Sequence, residues 1–393
     1  MLDFLDIRTK MTKKQDGTKV VYICPEFLVK SNIEDLMIRG RDFYAIWDEE
    51  AGLWNTSEGR AIQLIDNELY SYYECNKDRL SDYRVEVKYL YMSSTGSIDA
   101  WHKYVQKQMR DNFHQLDSKV VFNNTEVKKS DYVTRKLSYD LAEGSHDAYD
   151  RLVNVIFDKD ELEKLEWAVG SIIAGDSKNI QKFIVLYGDA GTGKSTYINI
   201  IQQLFDGYYC MFEAKVLGSA NNQFALEAFK ENPLIAIQHD GDLSHIVDNT
   251  KLNSIISHEY MTVNEKYKSH YVMKFQSFLF MGTNEPVDIS GARTGMNRRL
   301  IDVRPTGNKV PVNEYEKLIE RIKFELGAIA KHCLDIYTKL GKDYYNQYVA
   351  RDMKAETDDF YNFLIDDFMT LSRDRRGYSY QKFGPGISNG AIR

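Results

Sequence analysis

The chain has 393 residues, 43% hydrophobic and 28% charged, with a formal net charge of −7. That is enough apolar sequence to bury sizeable cores in two or three domains, and it excludes disorder of the whole chain. Only 6 prolines stand against 27 tyrosines and 19 phenylalanines, which excludes collagen-like and mucin-like sequence as well.

The first residues, MLDFLDIRTKMTKK, mix acids and bases without an apolar core, so no signal peptide is expected. Residues 1–115 combine strand-like runs at 20–23 and 43–47 with a helical stretch at 61–72. They predict an N-terminal α+β module without a chemical motif. A loop is expected at 94–97 and an amphipathic helix over 100–113. From 149 to 174, Leu152, Val153, Ile156, Leu162, Leu165, Val169 and Ile172 recur at helical spacing, broken by a turn at 158–160. Residues 138–166 carry nine acids and three bases, which predicts a helical unit with an acidic outer face. The longest apolar stretch, around 168–174, is far short of the roughly 20 residues that cross a bilayer. No membrane span is expected, and the predicted compartment is the cytoplasm.

Next come three short apolar runs, 183–187, 234–237 and 278–281, each ending in a polar or glycine-rich cluster. Continuous apolar runs of this length suit strands buried on both faces of a parallel sheet, whose ligands gather at the carboxyl ends of the strands. A helix is predicted from Pro311 to Leu340 with Gly341 as its stop, then a second over 359–371 and a loose basic tail. Cys24, Cys75, Cys210 and Cys333 are widely spaced, with no CxxC pair, and read as four reduced structural thiols.

Chemistry concentrates between 188 and 299. Gly188-Asp189-Ala190-Gly191-Thr192-Gly193-Lys194-Ser195 fits GxxxxGK[ST] between a predicted strand and a predicted helix that opens on Thr196. In that pattern the glycines let backbone N–H groups close around phosphates. Lys194 reaches the β and γ phosphates, the Ser195 hydroxyl can ligate magnesium, and the helix directs its positive end at the nucleotide. Asp240 and Asp242 follow the second apolar run, Asp240 assigned to magnesium and Asp242 to the attacking water. Taken alone, such a pair also suits a surface turn. Asn284 ends the third run, where an amide can bond the γ-phosphate or the lytic water, and a β-turn before Pro286 would use it equally.

Arg298 and Arg299 lie in a basic stretch, 292–309, that holds five bases and one acid. One guanidinium offered by a neighbouring subunit could stabilise a transferring phosphoryl group, and the other could serve structure. Two alternating runs flank a polar turn at 264–270 and predict a β-hairpin with Lys266, Tyr267, Lys268 and His270 at its tip. Cations interleaved with an aromatic suit single-stranded DNA, and ordinary surface lysines are the alternative.

Together these residues resemble the superfamily three helicases, in the poxvirus, phage and plasmid primase-helicase branch. The order is phosphate loop, acids, hairpin, Asn284 and the arginine pair. Weaker likeness extends to 122–139 and 356–364. The resemblance implies an α/β fold with a P-loop, AAA+-like parallel-sheet ATPase domain over 176–310. A helical collar over 116–175 would precede it and C-terminal helices over 311–372 would follow, with a basic tail at 373–393. It implies ATP and Mg²⁺ as ligands, and a homo-oligomeric ring, usually a hexamer. That ring would move 3′ to 5′ along single-stranded or forked DNA in phage or mobile-element replication, beside a separate primase or polymerase. The branch often has Glu where this chain has Asp240, which leaves the base open between Asp240 and Asp242. An initiator or packaging-type remodelling ATPase, and a nucleotide-gated replisome scaffold with weak hydrolysis, are the alternatives.

Overall fold

The computed structural model describes residues 1–353 apart from 31, 40–42, 92–95, 108–113, 220–221, 223, 242–248, 265–270, 288–293 and 352. In chain order the first elements are β1 (Leu5–Lys13), β2 (Lys19–Phe27), β3 (Leu36–Arg39), β4 (Phe43–Asp48), β5 (Leu53–Asn55), α1 (Glu58–Asn76), β6 (Arg84–Val87) and α2 (Gly96–Lys107). Next come α3 (Asp147–Ile156), α4 (Lys159–Ile173), β7 (Phe183–Tyr187), α5 (Lys194–Leu204), β8 (Tyr209–Met211), α6 (Ala214–Leu217), β9 (Ile235–Gln238) and α7 (Thr250–Ile256). The last are β10 (Tyr260–Val263), β11 (Tyr271–Lys274), β12 (Phe278–Thr283), α8 (Thr294–Asn297), β13 (Leu300–Val303) and α9 (Val312–Leu340). The chain divides into two units, one of residues 1–140 with 262–272, the other of residues 141–261 with those from 273 on.

In the first unit β1 and β2 form an antiparallel hairpin, and β6 adds to β2 in parallel. A second small sheet runs β3-β4-β5, antiparallel throughout. α1 turns Ala61, Ile65 and Leu69 inward, the four-residue spacing that stacks side chains on one helix face. Ala61 and Ile65 join Phe4, Leu36, Ile46 and Trp101 in one core cluster. At 116–140 the described residues hold one 3₁₀ turn, Lys129–Asp131, and the next helix begins at Asp147.

In the second unit five strands form one sheet in the order β13-β7-β12-β9-β8, with every pairing parallel. All residues of β7, β9, β12 and β13 are buried, which is why β7 is a continuous apolar run rather than an alternating one, whereas β13 buries the Asp302 carboxylate, which accepts from the Tyr348 hydroxyl. α3 and α4 pack on α9. At Gly170 of α4 a Cβ would stand 2.1 Å from the Cys333 carbonyl oxygen of α9, so only glycine permits this approach. Pro311 precedes α9, and Gly341 ends it at φ +83°, the start and stop the sequence predicts.

Two expectations are corrected. The acidic outer face does not include Glu166, which is buried, accepting from the Tyr149 hydroxyl at 3.1 Å and facing His332 Nε2 at 3.2 Å. Of the four cysteines, all free, only Cys333 is fully buried and Cys75 is exposed, so a structural role does not extend to all of them. The predicted helix at 359–371 and the tail at 373–393 lie outside the described residues. Among the described residues no helix is long and apolar enough to cross a membrane.

Candidate functional site

Strand register builds the site. Tyr187, the last residue of β7, pairs with Thr283 of β12, and Met281 of β12 pairs with Gln238 of β9. The three strands therefore end side by side, and the residues just beyond them share the carboxyl edge of the sheet, where such sheets hold ligands. The Gly241 N–H donates to the Gly282 carbonyl at 2.8 Å, fastening the two strand ends. A Cβ on Gly282 would stand 2.2 Å from the His239 carbonyl oxygen, so the contact demands glycine.

From β7 the chain turns through Gly188 to Gly193 into α5. Gly188, Gly191 and Gly193 have φ of +140°, +78° and +98°. Side chains strain such backbone, and at Gly193 a Cβ would also come within 2.7 Å of Ile156. The loop wraps the Lys194 ammonium, which donates to the Gly188 carbonyl at 2.5 Å, the Asp189 carbonyl at 2.9 Å and Asn284 Oδ1 at 3.0 Å. Burial pushes the Lys194 pKa below its ordinary value, with Asp240 and Asp189 pulling the other way.

Asn284 Nδ2 in turn approaches Asp240 Oδ1 at 3.5 Å. The amide orientation follows from chemistry: an ammonium only donates and a carboxylate only accepts, so the oxygen faces Lys194 and the nitrogen faces Asp240. Residues predicted from three separate strands thus meet in one chain of polar contacts.

They line a cleft of about 470 Å³. Ala190, Gly191, Thr192, Gly193, Ser195 and Thr196 line it too, with Ser195 exposed at the start of α5. Thr192 Oγ1 donates to the Asp189 carbonyl at 2.8 Å and steadies the loop. Sequence reading missed the opposite wall. Leu152 and Ile156 of α3, with Val310 and Tyr315 at the start of α9, supply apolar and aromatic surface. Tyr315 also shares a hydrogen bond with Thr196 Oγ1 at 3.1 Å. Lys309 lines the cleft, its Nζ 3.8 Å from where a Gly191 Cβ would stand. The basic stretch at 292–309 was the one available signal for Lys309. His239 lines the cleft beside Asp240, its Nε2 3.1 Å from Gln202 Oε1.

The arginine pair splits. Arg299 is buried, and its guanidinium donates to the Gly295 carbonyl at 2.5 Å and to Ser257 Oγ at 2.6 and 3.1 Å. Burial and the neighbouring Arg298 push its pKa down. Arg298 is exposed. Neither arginine lines the cleft. Asp242 and the hairpin tip, Lys266, Tyr267, Lys268 and His270, lie outside the described residues, between strands β10 and β11 in the case of the tip.

A family of unknown function, DUF5906, matches residues 186–299, from the end of β7 through the arginine pair. No curated protein matches. Among solved structures, the A-form apo structure of the NrS-1 C-terminal region is 11% identical over 90% of this chain and 82% of that one, with a TM-score of 0.52. A second apo structure, of NrS-1 C-terminal residues 305–718, is 12% identical with the same coverage and a TM-score of 0.50. At these identities the likeness is one of fold. The parallel five-stranded sheet is compatible with a P-loop ATPase-like fold.

Proposed function

We propose that this chain binds ATP with magnesium in the cleft and hydrolyses it to drive a ring of subunits, a hexamer, along single-stranded DNA. The polarity would be 3′ to 5′, and the setting the replication of a phage or related mobile element, beside a separate primase or polymerase in the cytoplasm. The observation that carries the reading is the Lys194, Asn284 and Asp240 chain at the carboxyl edge of a parallel sheet, beneath a glycine loop that opens a helix.

Each part has a physical role. Backbone N–H groups of 189–194 and the first turn of α5 attract phosphate oxygens. Lys194 meets the β and γ phosphates as a point charge, with Lys309 from the far wall adding a second. Leu152, Ile156, Val310 and Tyr315 offer the nucleoside an apolar, aromatic surface. The Ser195 hydroxyl and Asp240 carboxylate line the cleft as hard oxygen donors that fit magnesium, an ion that keeps several waters, so few protein ligands suffice. When bound, magnesium neutralises phosphate charge as the bond breaks. Asn284 orients the γ-phosphate or water, Asp242 or Asp240 acts on that water, and exposed Arg298 reaches a neighbour's nucleotide. Lys266, Tyr267, Lys268 and His270 hold the DNA strand.

Strand displacement on forked DNA tests this. The expected result is ATP-dependent separation that requires a 3′ tail and is absent in Lys194→Ala. ATP turnover without strand separation would instead indicate a remodelling ATPase. ATP-dependent assembly with negligible turnover would indicate a scaffold.

A further inference from the structure

The first unit holds a cleft that the nucleotide reading leaves unused. Its volume is about 480 Å³, and its walls include Glu34, Trp54, His114, Lys128, Lys129 and Tyr132. Two backbone bonds pin its floor: the Trp54 N–H donates to the Val133 carbonyl at 2.8 Å and the Asp117 N–H to the Tyr132 carbonyl at 3.0 Å. Held there, Tyr132 has φ +54° and ψ +47°, left-handed backbone that non-glycine residues adopt uncommonly and that persists only when its surroundings enforce it.

That backbone presents a flat surface. The Tyr132 ring stacks on the His114 ring, with centroids 4.2 Å apart and planes within 9°. Trp54 backs the pair at 6.0 Å, itself only 2% exposed, with its indole N–H donating to the Lys129 carbonyl at 2.9 Å. Trp54 is therefore a fixed support, while His114 is exposed and lines the cleft. Beside it the Lys129 ammonium is paired with Asp35, and Lys128, Ser130 and Glu34 are exposed.

We propose that this cleft binds a nucleoside phosphate unit of a single-stranded nucleic acid. The base stacks on His114, Lys128 and the Ser130 hydroxyl meet the phosphate, and Glu34 accepts from an exocyclic amino group. A pre-stacked ring pair next to an ammonium matches this chemistry because every base has a π-face and every linkage a charge. The carboxylate adds a preference for bases that can donate. The cleft gives residues 1–140 a nucleic-acid contact of their own, independent of the hairpin tip.

The test uses the full chain without ATP and a short oligodeoxynucleotide carrying 5-iodocytosine, whose 4-amino group can donate to Glu34. Irradiation is expected to cross-link His114 or Tyr132. His114→Ala should remove the cross-link and weaken binding about tenfold. Lys128→Ala should lower the slope of log affinity against log salt by about one. Both side chains are exposed, so melting temperatures should not move, and a shift in melting with unchanged affinity would count against the site. Competition by dCMP would mean that the cleft also accepts a free nucleotide, and none would assign it to the strand. No cross-link in the cleft, with affinity and salt slope unchanged in both variants, would overturn the proposal.

Discussion

The Lys194 ammonium donates to the side-chain oxygen of Asn284 at 3.0 Å, so an amide at the end of β12 is oriented by a cation that opens α5. Asn284→Asp keeps the shape but places a second carboxylate close to Asp240, and like charges at that range oppose each other and any phosphate between them. We expect Asn284→Asp to weaken ATP binding at least tenfold. Asn284→Ala, which adds no charge, should lower kcat more than it raises KM. Steady-state kinetics on both variants separates these outcomes, and equal effects in both would remove the electrostatic account.

The seam between β9 and β12 gives a stability prediction. Gly282→Ala would drive a Cβ to 2.2 Å from backbone, which cannot swing aside as a side chain can. The expected loss is about 1–3 kcal/mol, read as a melting temperature several degrees lower. Gly307 has φ +82° but open space around it. Gly307→Ala should therefore cost only the left-handed backbone, about 1 kcal/mol.

The two arginines should behave differently. Arg299→Ala leaves Ser257 and the Gly295 carbonyl without their guanidinium and should destabilise the fold by about 1–3 kcal/mol. Exposed Arg298→Ala should change stability by no more than about 0.5 kcal/mol while reducing turnover. Mixing Arg298→Ala with Lys194→Ala subunits should restore part of the activity, because each supplies what the other lacks. Absence of rescue at every ratio would argue that Arg298 does not act on a neighbour.

His332 makes stability depend on pH. Its hydrogen bond to Glu166 raises its pKa above 6.5 against the opposing effect of burial, and Asp150 and Asp335 add to the rise. The His146 ring also faces it, 4.4 Å away. Because the folded state binds this proton more tightly, the stabilisation is complete below about pH 6.5 and is lost as pH rises through the raised folded value. The melting-temperature gap between wild type and His332→Gln should be widest near pH 6 and below, and close at higher pH. A gap that widens with pH would contradict this assignment.

Much of the site was legible because its signals are local. The glycine loop obeys backbone sterics, and the apolar runs at 183–187 and 278–281 are continuous because both faces of those strands are buried. Two of the five strands were not legible as such. β8 has three residues, and β13 follows directly on Arg299, so only its pairing with β7 reveals it as a sheet edge. Leu152, Ile156 and Tyr315 carry no motif, and the packing of α3 and α9 alone brings them to the cleft. Glu166 misled for a similar reason: an acid at a helical position reads as solvated until Tyr149 and His332 are seen to surround it.

The most direct test of the central claim is the rate of ATP hydrolysis by the wild type and by Lys194→Ala, each with and without single-stranded DNA. The account predicts turnover that rises with DNA in the wild type and falls to background in Lys194→Ala, with that variant still folded by circular dichroism. Turnover that Lys194→Ala leaves unchanged would contradict it.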